Sequence, residues 1–280
     1  RNYELTVHGV GHEYWMDGTF TRAEWADRSG RMRPRDQVEL HLDFFARLMD
    51  QNRLGAFPKS FVPTAFLHTF GPSEGHETSL AEIVKKRGIN YINTPFYSLH
   101  NVEAVQYGFF GLDAGVMTVD RGRDLFNWDV IGAMPAGSLK GPTCGLHWPN
   151  LLHQDPELNS ETVQGWIKFL LPYNNRFETM LAPDSVFFQQ QLAHHVCTTT
   201  SIQGRFINLD FSKTSSLPDH IAWNQFNIKL RSPSRLRFKA ENIKIMSDTH
   251  IMDNNQYLYT IRLAAIRKMM PVRIEYTIQE

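Results

Sequence analysis

Ser79-Leu80-Ala81-Glu82-Ile83-Val84-Lys85-Lys86-Arg87-Gly88-Ile89-Asn90-Tyr91-Ile92-Asn93-Thr94 carries a helix-to-strand unit in a single run. Ser79 with Glu82 three residues on is a capping box, and Leu80, Ile83 and Val84 lie on one helical face. Gly88 supplies a residue that can take the left-handed conformation at which helices stop, and residues 89–94 read as a strand. Outward from this unit the same alternation recurs. Residues 3–10, 60–66, 115–119, 142–148 and 196–202 read as further strands. Residues 34–54 read as a helix, with Pro34 suited to its first position and Val38, Leu42, Phe45 and Met49 on one stripe. Another helix starts after Asn159 or Ser160, carries Val163, Trp166, Ile167 and Leu170, and is expected to break at Pro172. Strands separated by helices predict an α/β fold with a parallel sheet or barrel.

Beyond Gly204 the apolar period switches from 3.6 to two: Ile207, Leu209 and Phe211; Phe226, Ile228 and Leu230; Leu236, Phe238 and Ala240; Tyr257, Tyr259, Ile261 and Leu263; Val272, Ile274, Tyr276 and Ile278. This predicts a small all-β, sandwich-like domain over 204–280 behind an α/β domain over 1–203. The 280 residues carry 29 basic and 29 acidic side chains, so the formal charge is zero. That neutrality hides two halves of opposite sign: 17 basic against 22 acidic residues before position 204, and 12 against 7 after it. With no net positive field, binding to nucleic acid is not expected. No apolar run approaches the roughly 20 residues of a transmembrane helix, so no membrane span is expected either. Cys144 and Cys197 have none of the close spacings of zinc ribbons or redox pairs and leave a disulfide open. The oligomeric state is not readable.

Ten of the twelve histidines precede residue 200, which places the expected chemistry in the first domain. His8-Gly9-Val10-Gly11-His12 puts two imidazoles four apart at the end of the first strand. The intervening glycines let the backbone turn both rings toward one point, an arrangement suited to a zinc-like ion. The C-terminal ends of parallel strands are where α/β barrels build their sites. Cys144-Gly145-Leu146-His147-Trp148-Pro149 ends another strand on a histidine that could act as general acid or base. Asp124-Leu125-Phe126-Asn127-Trp128-Asp129 gathers acids around a tryptophan. Ser60-Phe61-Val62-Pro63-Thr64-Ala65-Phe66 runs from a strand into a proline loop that leads to His68. For each of these the plainer alternative is a packed or solvent-facing residue with no chemistry.

Taken in order, these segments resemble the motifs of the polysaccharide deacetylase superfamily, the NodB-homology or carbohydrate esterase family four fold. The resemblance spans residues 3–202 and implies a distorted (β/α) barrel. It implies that His8 and His12 bind a divalent metal, zinc by preference, and that His147 and Asp129 are catalytic, with His147 the general acid. Trp128, Trp148 and Pro63 would line the substrate cleft, with Trp15 a further candidate. The family's arginine before the motif-three proline is replaced here by Val62, and Leu146 stands one position closer to His147 than in the family pattern. The run from the capped helix into residues 88–92 also resembles a unit of that family.

The family's first motif, an Asp-Asp pair, has no counterpart before His8. Its strand is expected upstream of Arg1, or else Glu13 or Asp17 completes the site. The expected activity is removal of acetyl groups from a polysaccharide or glycoconjugate by a metal-activated water. An alternative is a carbohydrate-binding or scaffold protein that keeps the barrel without catalysis. A glycoside hydrolase would need two carboxylates facing across a cleft, from Glu13, Asp17, Asp124 and Asp129. The resemblance also implies an extracytoplasmic location and a carbohydrate polymer as partner. The polar segment at 16–33 is expected to cover part of the site.

Overall fold

The computed structural model describes residues 4–16, 18–104, 110–122, 146, 148–177, 185–186, 199–213, 226–264 and 271–279. The chain divides into two compact units, Arg1–Asn174 with Ala182–Ser185, and Asn175–Leu181 with Val186–Glu280. It is a mixed α/β protein with several sheets and few helices.

In chain order the first unit contains β1 (Thr6–Val7), β2 (Tyr14–Met16), β3 (Thr19–Thr21), α1 (Arg35–Gln51), β4 (Ser60–Phe61) and β5 (His68–Thr69). There follow α2 (Leu80–Lys85), β6 (Tyr91–Thr94), β7 (Leu99–His100), β8 (Phe110–Asp113), β9 (Val116–Asp120), α3 (Trp148–Leu151) and α4 (Asn159–Asn175). The main sheet has the order β1-β4-β6-β9-β8. Its first four strands are parallel, and each lies beside the next one in the chain. The connections from β1 to β4 and from β4 to β6 contain α1 and α2, as parallel crossovers require. β8 closes the edge antiparallel to β9. Among the described residues this is an open sheet, and no closed barrel is present.

One face of the sheet makes the core. Val7, Phe61 and Ile92 pack with Val38 and Leu42 of α1 and with Leu80, Ile83 and Val84 of α2. Alternation along the strands sends Ser60, Tyr91 and Asn93 to the opposite face, where all three are also buried. The expected stripe on α1 is present: Val38, Leu42 and Met49 are buried, with Phe45 packed against the core. Ser79 caps α2 by accepting from the Glu82 backbone N–H, and Gly88 follows the helix at φ 87°.

Several expected boundaries shift. The first strand is only Thr6–Val7, because the glycine loop after it turns away. The strand expected at 60–66 stops at Phe61, since Pro63 cannot donate to a ladder and instead opens a short 3-10 turn at Thr64–Phe66. The strand expected at 142–148 lies mostly outside the described residues, and Trp148 begins α3 instead. Pro172 does not end α4, which continues to Asn175. A proline this close to the C-terminal end removes one intrahelical bond, while Trp166 and Leu170 on the buried face hold the helix in place.

Every described strand of the second unit pairs antiparallel: β10 (Thr199–Gln203), β11 (Phe206–Asp210), β12 (Phe226–Ser232), β13 (Leu236–Ala240), β14 (Ile245–Asp253), β15 (Gln256–Leu263) and β16 (Val272–Ile278). These form two sheets, β10-β11-β16-β13 and β12-β15-β14. Ile207, Leu209, Phe226, Phe238, Tyr259, Ile261, Val272 and Ile274, drawn from both sheets, share one hydrophobic core. The five period-two segments are all strands. The segment at 196–202, expected as a strand of the α/β part, is strand over Thr199–Gln203 and pairs antiparallel with β11. No described helix is long and apolar enough to cross a membrane.

Candidate functional site

The loop that leaves β1 is wrapped around a buried carboxylate. Glu24 is 0% exposed, and its side chain accepts from three consecutive backbone N–H groups. Val10 N lies 3.0 Å from Oε1 and 2.8 Å from Oε2, while Gly11 N and His12 N lie 3.1 and 2.9 Å from Oε2. Successive amides converging on one anion form a nest. The backbone N–H of Glu24 donates in turn to Thr64 Oγ1 at 2.6 Å, tying it to the turn after β4. Gly9 is required by this closeness: a Cβ there would stand 2.7 Å from Thr64 Cγ2 and would overlap Glu24 Oε2.

The two histidines of the loop come together. Their ring centroids are 5.0 Å apart in an edge-to-face arrangement. Nδ1 of His8 lies 2.8 Å from the carbonyl oxygen of Val62, just past β4. Since a carbonyl only accepts, Nδ1 carries the proton and the ring's lone pair sits on Nε2. The carbonyl of His8 accepts from Trp25 Nε1 at 2.7 Å, and Trp25 packs edge-to-face on Phe61 in the core. His12 takes the left-handed backbone conformation, φ 53°, which is uncommon away from glycine. Its Nδ1 is buried and has no hydrogen-bond partner among the described residues.

Behind the nest stands a second layer. His41 of α1 contacts Glu24 Oε1 through Nδ1 at 2.8 Å, and its Nε2 lies 2.8 Å from Arg33 Nη1. A guanidinium has no acceptor, so Nε2 accepts and Nδ1 donates to Glu24. Arg33 also donates through Nη2 to the Glu13 carbonyl at 3.1 Å, next to His12. Val10 and His41 also border a pocket of about 230 Å³ completed by Leu40, Phe44 and Arg47.

Of the residues expected from sequence, the structure thus brings His8 and His12 together. Pro63 is buried and opens the turn that carries Thr64. Asp129, Trp128 and His147 lie outside the described residues, as does Asp17, and Trp148 is described only as the first residue of α3. Trp15 lies in β2, paired in register with Phe20. Glu13 is exposed. The segment at 16–33 does lie against the histidine loop, through Glu24 and Trp25, but as a packed part of the core rather than a polar cover. It contains β3 and buries Ala23, Glu24, Trp25, Ala26 and Met32.

Glu24, His41 and Arg33 escaped the sequence reading. The one available signal was an acid set among residues that fold inward, Ala23-Glu24-Trp25-Ala26. Among the described residues no group of three or more His, Cys, Asp or Glu is gathered to hold a metal ion.

Away from this loop, burial shifts two groups. His68 of β5 is fully buried, and its pKa is pushed down to about 4, first by desolvation and then by the charge of His100. Asp113 is raised by burial, against hydrogen bonds from Gly71 and Ser79. Comparison with protein-family models, with curated proteins and with solved structures gives no match to this chain.

Proposed function

We propose that this chain is a metal-dependent hydrolase that removes acetyl groups from a carbohydrate polymer, with His8 and His12 as two ligands of a divalent ion. The observation that carries the reading is the histidine pair at the C-terminal end of β1. Two imidazoles sharing one tetrahedral ion have centroids about 5 Å apart, the separation found here. The bond from His8 Nδ1 to a backbone carbonyl is the outer contact that orients a ligating histidine. The buried Nδ1 of His12, without a hydrogen-bond partner among the described residues, is a polar atom in need of one.

A divalent ion, when bound, lowers the pKa of its water and polarises the acyl carbonyl. In this reading His8 and His12 hold that ion, and further ligands come from outside the described residues. His147 protonates the leaving nitrogen or oxygen, Asp129 serves the same site, and Trp128, Trp148 and Pro63 shape the cleft for the sugar. The four parallel strands in sequential order agree with the strand arrangement this reading expects of the first unit; the reading further takes a distorted barrel of the deacetylase kind, zinc as the preferred ion and an extracytoplasmic polysaccharide as the substrate.

The test is metal content and turnover. After zinc loading and dialysis, the wild-type chain should retain one ion, and His8→Ala with His12→Ala should retain none. Unchanged stoichiometric zinc in the double variant would sink the site. His147→Ala should keep the metal and lose deacetylation of acetylated chito-oligosaccharides. Val62, standing where the family has arginine, favours a second reading: a carbohydrate-binding protein without catalysis. Glycan binding with zinc present and no acetate released would select it.

A further inference from the structure

We propose that Glu24 is the positioning residue for the two histidine rings: its buried carboxylate is the template around which residues 9–12 fold. The idea rests on the reading of His8 and His12 as a ligand pair and adds what holds that pair in place. Two ring nitrogens separated by a flexible, glycine-containing loop do not converge without support, because each glycine adds backbone freedom that ordering must overcome. Here the support comes from one side chain. Three successive amides point at Glu24, the third belongs to His12 itself, and His12 is held in a conformation that L-residues rarely adopt.

The carboxylate is in turn held from behind. His41 donates to Oε1, and Arg33 donates to His41 and to the Glu13 carbonyl. The buried negative charge thus faces amide dipoles on one side and, through one imidazole, a guanidinium on the other. Neither oxygen of Glu24 is left to bind a metal, so its part is played through the backbone of the ligand loop. Glutamine can set its carbonyl oxygen where Oε2 accepts from the three amides, but its N–H₂ then stands at the Oε1 position against the His41 and Val10 donors, so the support from behind is lost and the loop shifts.

The experiment compares wild type with Glu24→Gln. Histidine-ring ¹⁵N–¹H correlations are recorded on metal-free protein, core methyl spectra serve as the measure of fold, and zinc is titrated separately. The expected result is an unchanged core, shifted ring resonances at His8 and His12, and zinc affinity lower by about ten- to a hundredfold. Unchanged ring resonances with unchanged zinc affinity would overturn the proposal. Should Glu24→Gln fail to fold, His41→Ala removes only the side-chain donor from Oε1 and is read in the same way: shifted rings support the proposal and silent rings overturn it. A wild-type chain that binds no zinc would remove the metal reading, while the rings of the metal-free protein would still decide the role of Glu24.

Discussion

Gly9 and Glu24 leave no room for a side chain between them. A methyl group on Gly9 would overlap the Glu24 carboxylate and press on Thr64 Cγ2 at 2.7 Å. Neither neighbour can retreat, because Glu24 is bonded to three amides and to His41, and Thr64 accepts from Glu24 N. Gly9→Ala is therefore expected to destabilise the first unit by about 1–3 kcal/mol. Gly11→Ala is the control: its Cβ would meet nothing closer than Glu13 Cγ at 3.5 Å, and a change within about 0.5 kcal/mol is expected. Thermal melts of both variants check the pair, and equal Tm values would contradict the packing argument.

His68 should make stability depend on pH. Its side chain is fully buried, and neither ring nitrogen has a hydrogen-bond partner among the described residues. In the unfolded chain it takes up a proton near its ordinary value of 6.5, but in the folded chain only at about 4. Between those values the unfolded state binds more protons, so stability is complete above pH 6.5 and declines as pH falls toward 4. The loss amounts to about 3 kcal/mol. His68→Leu removes this term, so urea denaturation at pH 7 and pH 5 should show a smaller difference in the variant. An identical difference in both proteins would refute the assignment.

Ser79 serves two partners at once. Its hydroxyl accepts from Glu82 N at 3.2 Å and donates to Asp113 Oδ1 at 3.0 Å. Ser79→Ala removes the cap of α2 and leaves the buried Asp113 carboxyl with the Gly71 amide as its remaining hydrogen-bond donor among the described residues, a loss of about 1–3 kcal/mol. Ser79→Asp would restore the cap but set a second carboxylate against a carboxyl whose pKa burial already raises. It should not rescue stability at neutral pH, and a full recovery of the denaturation midpoint would show that Asp113 is not engaged.

Where local chemistry and periodicity agreed, the elements were legible. Ser79, Glu82 and Gly88 mark both ends of α2, and Val38, Leu42 and Met49 mark its larger neighbour because helix burial repeats with the helical turn. The alternation of Leu236 and Phe238 with Arg237 and Lys239 shows directly in the burial of β13. β14 escaped detection for the converse reason. From Met246 to Asp253 it is exposed on both faces, so no apolar alternation marks it, and its pairing with β15 alone defines it. Pro172 sits inside α4 because the burial of Trp166 and Leu170 outweighs the loss of one hydrogen bond, and that packing is not visible in local sequence.

The candidate site divides along the same line. His8-Gly9-Val10-Gly11-His12 was visible as a pair of imidazoles joined by a pliable loop, because residue type and spacing are properties of the chain. That Glu24 would be the anion inside that loop, with His41 and Arg33 behind it and Val62 orienting His8, could not be read from spacing. The sequence by itself determined the α/β order of the first unit, the strand period of the second and the identity of the paired histidines. Only the tertiary structure decided what holds them, because a backbone amide carries no residue-specific mark: its partner is chosen by where the fold brings a carboxylate, here one set between two alanines and a tryptophan.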